Sequence, residues 1–253
     1  MSKVVIEKVG PVKTIWMNRP EKRNALDSEL LGEMIEALGA PVAAEDRVLA
    51  IRGRGNVFCA GLDMAERSAT AGAGQASGIE VMLRAIELCP LPVVAIVQGD
   101  AIAGGNELAL HCDLVVASDK ARFGMSLAQV GLAPNWFLAK KLMEVLGPVT
   151  TREMLLLGDP LPATKLYALG LIARCVPADQ LEAEASKVIA RLAANAPLSL
   201  KAMKALTVRQ MEFRDGIKHE DVDSLVRAAM QSQDAQEGMK ARLEKRTARF
   251  QGR

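Results

Sequence analysis

The stretch AIAGGNELALHCD, Ala101 to Asp113, sets one acid, Glu107, just after a glycine pair and at the head of an otherwise almost wholly apolar segment. Lacking a Cβ, Gly104 and Gly105 let a ligand approach the backbone. The N–H groups of a helix's first turn, with the dipole behind them, favour negative charge. Those are the ingredients of an oxyanion hole. Glu107 follows Gly104 by about one helical turn, which puts its carboxyl near the space that the Gly104 N–H faces. An oxyanion donor beside a proton-transfer group is the minimum needed for enolate chemistry next to a carbonyl. An acid in a helix's first turn also occurs simply because it complements the dipole, so these residues alone leave both readings open. A second stretch, RVLAIRGRGNVFCAGLDM from Arg47 to Met64, repeats the device: a β-rich run, a turn, and a helix start at Gly61-Leu62-Asp63. Two such turns could each offer one backbone N–H to the same oxygen. Spacing along the chain does not say whether they converge.

The elements that must position these groups alternate in type. KVVIEKV, VKTIWMN, RVLAIRG and LPVVAIVQG read as short strands, the last a buried one ending at Gly99, and DSELLGEMIEAL and IEVMLRAIELC read as helices. Strands alternating with helices predict an α/β architecture with crossover connections. Asp27 is placed to cap the first helix, whose Leu30, Leu31, Met34, Ile35 and Leu38 recur at helical spacing as a core stripe. AERSATAGAGQASG, from Ala65 to Gly78, has no large apolar residue and reads as a surface excursion, a candidate lid. From about Ala163 strand signals nearly vanish, and successive helical patterns are punctuated by Pro177 and Pro197. The expected division is an α/β core over residues 1–195 and a helical region over 196–253.

Composition excludes several classes. A chain of 253 residues, 50% hydrophobic, has ample material for a core. A formal charge of +2 and 3% aromatics argue against nucleic acid as a partner. No apolar stretch approaches the roughly 20 residues of a membrane span, and MSKVVIEKVG lacks a secretory h-region, so a cytoplasmic address is expected. Cys59, Cys89, Cys112 and Cys175 are scattered without a CxxC pair and, with His111 and His219, make a poor metal set; they are expected to be reduced, mostly buried thiols.

The chain resembles the crotonase, or enoyl-CoA hydratase/isomerase, superfamily. The resemblance rests on NRPEKRNALD (Asn18 to Asp27), FCAGLDM (Phe58 to Met64), IAGGNELALHCDLVVASDKARFG (Ile102 to Gly124), GLAPN (Gly131 to Asn135), LGDPLPATKLYALGLIARCVP (Leu157 to Pro177), NAPLSLKAMK (Asn195 to Lys204) and EGMKARLEKRTARFQGR (Glu237 to Arg253), in that order. It implies a spiral of repeated ββα units with a C-terminal helical region that packs homotrimers, often paired into hexamers. It also implies acyl-CoA thioesters as ligands, with CoA arriving as part of the substrate and no other cofactor. The thioester oxygen would rest on the N–H groups of Leu62 and Gly104, with Glu107 as the proton-transfer residue. Ala60 and Leu62 fall where relatives hold the adenine with backbone carbonyls, and Lys22, Arg23 and Lys245 where they approach CoA. Asp63, Gly105, Leu127, Asn135 and Trp136 complete the candidate substrate contacts, Trp136 with Phe137 at the acyl pocket. The basic residues would otherwise be solvated surface charges, His111 a packed neutral histidine, Asp113 structural, and Trp136 and Phe137 core.

Hydratases of the family use a second glutamate shortly after a Phe-Gly pair. Counting on from ARFG, that position is Leu127, and no acid occurs between Asp119 and Glu144. At the position after the proline of GLxP, where some members place an aspartate, stands Asn135, which hydrogen-bonds but does not usefully titrate. One carboxylate suffices for a 1,3-proton shift, whereas hydration calls for activation of water as well. The expected activity is therefore double-bond isomerisation with Glu107 as shuttle. Hydration by Glu107 alone is the alternative, and a catalytically weak acyl-CoA binder is the rival from another class.

Overall fold

The β-branched runs predicted as strands pair, and the central ones, Val48–Gly53 and Val93–Val97, bury side chains on both faces. The computed structural model describes residues 2–69 and 78–253. Its strands are β1 (Val4–Val9), β2 (Val12–Met17), β3 (Val48–Gly53), β4 (Val93–Val97), β5 (Ala101–Ile102), β6 (Leu114–Ser118), β7 (Arg122–Gly124), β8 (Leu161–Pro162) and β9 (Arg174–Val176). Its helices are α1 (Ser28–Gly39), α2 (Met64–Ala69), α3 (Gly78–Leu88), α4 (Gly104–Leu110), α5 (Trp136–Arg152), α6 (Ala163–Ala168), α7 (Leu181–Ala193), α8 (Pro197–Met211), α9 (Glu220–Gln231) and α10 (Gln233–Leu243).

A large sheet runs β1-β2-β3-β4-β6-β9, antiparallel only at the β1–β2 hairpin. A small sheet runs β5-β7-β8, and Cys59 joins it through a bridge to Ala101. Successive windings therefore give one strand to the large sheet, the next to the small one, and then a helix: β3, Cys59 and α2; β4, β5 and α4; β6, β7 and α5. This is the expected ββα spiral. Side-chain alternation explains the unbroken apolar runs. Leu49, Ile51, Val93, Ala95, Val97, Val115 and Ala117 enter the main core, while Val48, Ala50, Val94, Ile96 and Val116 face Leu181 and Ala185 of α7.

Three expectations are corrected. The late chain is not wholly helical, since β9 pairs with β6; a three-residue Arg-Cys-Val strand carries too little pattern to be read alone. The excursion from Ala65 to Gly78 begins as helix α2, whose Ala65 N–H is capped by Asp63 Oδ1 at 3.0 Å. The rest of the candidate lid, residues 70–77, lies outside the described residues. The last of the helical patterns, which reads as continuous from Glu220 to Phe250, breaks at Ser232, whose Oγ accepts from Ala235 N–H at 3.0 Å and starts α10.

The C-terminal helices are tied to the core at defined points. Lys204 of α8 donates to Ile86 O (2.9 Å), Leu91 O (3.1 Å) and Asp113 Oδ2 (2.7 Å), pinning α8 to the end of α3 and to the residues that follow α4. Helix α10 seats on its own chain, where a Cβ at Gly238 would lie 2.4 Å from the Val130 carbonyl and Ala235 packs with Val130, Leu132 and Leu127. No helix of the described residues is long and apolar enough to cross a membrane. The four cysteines are free thiols, three of them buried.

Candidate active site

The two glycine turns meet. Leu26 N–H donates to Gly61 O (2.8 Å) and Asp63 N–H to Leu26 O (2.9 Å), which clamps the turn carrying Leu62. A Cβ on Gly61, at φ +86°, would stand 3.0 Å from Gly104 N and 2.8 Å from Ile102 O. Neither the Leu62 nor the Gly104 N–H donates to an acceptor among the described residues. The chain enters α4 through Ala103 at φ 49°, ψ −117°, a conformation unfavourable for a residue with a Cβ by about 1–3 kcal/mol, of the kind that collects at functional sites. The Ala103 N–H to Gly124 O bond of 2.7 Å helps hold it there. The glycine pair also has a packing reason. A Cβ on Gly105 would fall 2.1 Å from Cys59 O, so what comes close to Gly105 is the neighbouring turn rather than a ligand. At Gly104 the space is shared with Ile79 Cδ1, at 2.7 Å from the same construction.

Glu107 is fully buried, and neither carboxyl oxygen has a hydrogen-bond partner among the described residues. Burial raises its pKa well above the ordinary 4.5, and the Lys141 ammonium only partly offsets this. Lys141 keeps its charge despite burial because Glu87 (2.6 Å) and Glu144 (3.0 Å) hold it. A carboxyl biased by burial towards its neutral form thus sits beside a closed ion cluster that spans α3 and α5.

His111, one turn beyond Glu107, places Nδ1 3.6 Å from Glu107 Oε2 and stacks on Phe137 at 5.3 Å between centroids. Its Nδ1 lies 2.8 Å from Glu107 O, and a carbonyl only accepts, so Nδ1 carries the hydrogen. Burial lowers the ring's pKa to about 3, so it is the packed neutral histidine expected. Below pH 6.5 the unfolded chain takes up a proton that the folded ring refuses. This residue should therefore cost about 1.4 kcal/mol of stability per pH unit from 6.5 down towards 3. Denaturant midpoints measured from pH 4 to 7 should show a shallower acid slope for His111→Gln, and an equal slope would contradict the assignment.

Other candidates fall in distinct places. Lys22 and Arg23 are exposed, and Ala60 N–H bonds to Arg23 O (3.0 Å), so Lys22, Arg23, Ala60 and Leu62 share one rim. Asp63 is occupied with Arg19 (2.7 Å) and the α2 cap. Leu127 is half-buried between the main core and the Val130 cluster. Trp136 lies flat on His219, 4.4 Å between centroids at 4°. Lys245 is exposed just past α10. Asp113 is structural, accepting from Val93 N–H and Lys204. Asn135 caps α5 by accepting from Leu138 N–H (3.0 Å), while its Nδ2 donates to Glu80 Oε1 at 2.5 Å. Sequence reasoning missed Glu80, because an acid in the first turn of α3 reads as an ordinary complement to the dipole.

Comparison with known proteins gives concordant results. The family model described as enoyl-CoA hydratase/isomerase matches residues 7–253. A 2,3-dehydroadipyl-CoA hydratase of Escherichia coli is 32% identical over 259 residues, covering 100% of both chains. A crotonyl-CoA hydratase of Syntrophomonas wolfei is 31% identical, covering 98% of this chain and 97% of its own. The crystal structure of a methylmalonyl-CoA decarboxylase superposes with a TM-score of 0.92 at 25% identity, covering 99% of this chain and 98% of its own.

Proposed function

Because the chain belongs to the enoyl-CoA hydratase/isomerase family, we propose that it moves a proton on an acyl-CoA thioester through an enolate, with double-bond isomerisation as its reaction. One observation carries the reading: a sealed carboxyl, Glu107, stands one turn from the touching Gly61–Leu62 and Gly104 turns, whose Leu62 and Gly104 N–H groups donate to no acceptor among the described residues. The thioester oxygen would rest on the Leu62 and Gly104 N–H groups. As a carboxylate, Glu107 would take the α-proton of a 3-enoyl thioester and return it at the γ-carbon. Lys22, Arg23 and the Ala60 rim would face CoA, with Lys245 a further contact and Asn135, Leu127 and Trp136 near the acyl group. CoA belongs to the substrate, and the reaction needs no other cofactor. Exposed Leu198, Leu206 and Leu225 on α8 and α9 support self-association, as a trimer or a pair of trimers.

The test is incubation with a 3-enoyl-CoA in heavy water. Formation of the 2-enoyl-CoA with deuterium at the α- or γ-carbon is expected. Tight binding without product or label would leave a non-catalytic acyl-CoA binder. Hydration is the second reading, favoured by the relatives named as hydratases and by the acid found beside Asn135.

A further inference from the structure

Glu80 lies outside every motif of the sequence, and we infer that it is a second proton-transfer carboxylate, anchored by Asn135, that activates water for addition to the β-carbon of a 2-enoyl thioester. The inference rests on the oxyanion-hole reading above.

Three contacts place it. Ile79, the residue before it, packs against Gly104. Asn135 begins α5, and Phe137 of that same first turn stacks on His111, one turn beyond Glu107. The first turns of α3 and α5 thus both lie against α4, and the Glu80–Asn135 bond joins them. The amide's orientation is forced, because Oδ1 is committed to Leu138 N–H and leaves Nδ2 to hold Glu80 Oε1. Oε2 has no partner among the described residues, and the carboxyl is half-buried. One oxygen is fixed and the other is held by no described residue, the arrangement a general base needs.

The role complements Glu107, whose pKa burial pushes well above the ordinary 4.5, a shift that favours the protonated, proton-donating form. In the addition, one O–H bond of water breaks and its proton passes to Glu80 Oε2 while the water oxygen bonds to C3. The C2=C3 electron pair moves to form the enolate, whose oxygen rests on the Leu62 and Gly104 N–H groups. Glu107 then gives its proton to C2 and the carbonyl re-forms. Return of a proton from Glu80 to Glu107 through solvent resets the pair, so the net change is addition of H and OH from one water.

The experiment measures hydration of a 2-enoyl-CoA and isomerisation of a 3-enoyl-CoA by the full chain, Glu80→Gln and Glu80→Asp, with thermal midpoints to establish folding. Glutamine still offers Asn135 an acceptor. Glu80→Gln is expected to lower hydration about 100-fold or more and the ratio of hydration to isomerisation at least about 10-fold, with partial recovery in Glu80→Asp. Hydration within about threefold of the parent, an equal fall in both reactions, or a parent that isomerises without hydrating would each overturn the inference. A parent active in neither reaction would instead remove the underlying enolate reading.

Discussion

Glu107→Gln should cost about 100-fold or more in turnover and yet make the protein more stable at neutral pH. The first effect follows because an amide cannot exchange a proton with an enolate carbon. The second follows from burial. The folded pKa of Glu107 lies well above the ordinary 4.5, so between those values the native chain holds a proton that the unfolded chain has released. Stability is then lost as pH rises, by about 1.4 kcal/mol per unit, until the folded pKa is passed. Glutamine does not titrate and escapes that loss. The two proteins should melt close together near pH 4, and the variant should pull ahead by about 2–4 °C for each kcal/mol as pH rises, until the folded pKa is passed. A gap that fails to widen with pH would mean the carboxyl is not held neutral by its surroundings.

The same proton state separates the two reactions. Isomerisation requires Glu107 to start as a carboxylate, so kcat should rise with pH towards the raised pKa. Hydration requires it to start protonated, so kcat should fall above it. Burial of the carboxyl favours the second state, and hydration would then call on a separate base, the part proposed for Glu80.

Local pattern carried much of this. β3 and β4 are legible because burial on both faces leaves unbroken β-branched runs, and α1 because Asp27 and a helical stripe mark its start. Glu107 and the Gly61 and Gly104 turns are legible because the proposed chemistry would need those types at that spacing. What was not legible is contact between distant segments. Nothing in FCAGLDM says that Gly61 touches Gly104, and nothing in GIEVMLR says that Glu80 will meet Asn135. The Lys141–Glu87–Glu144 cluster was hidden for the same reason: each member reads as a solvated face until α3 and α5 are packed together. Counting carboxylates along one loop therefore could not reveal that the fold sets Glu80 against Asn135.

Gly61→Ala should leave a folded protein whose kcat/KM falls roughly 100- to 1,000-fold, the scale of losing an oxyanion donor. The added methyl would stand 3.0 Å from Gly104 N, one of the two proposed donors, and 2.8 Å from Ile102 O. Relief requires the two turns to part, which separates the Leu62 and Gly104 N–H groups. The substitution also carries the backbone cost of a Cβ at φ +86°, about 1 kcal/mol, and this cost must be removed from the comparison. Gly10 supplies the control. It too has positive φ, at +55°, but a Cβ there meets nothing within 4 Å, and it lies in the β1–β2 hairpin away from the site. Gly10→Ala should lose a similar amount of stability and keep its turnover, while Gly61→Ala loses turnover out of proportion to stability. Equal activity in the two variants would show that contact between the glycine turns does not matter to the chemistry, and the backbone cradle would then have to lie elsewhere.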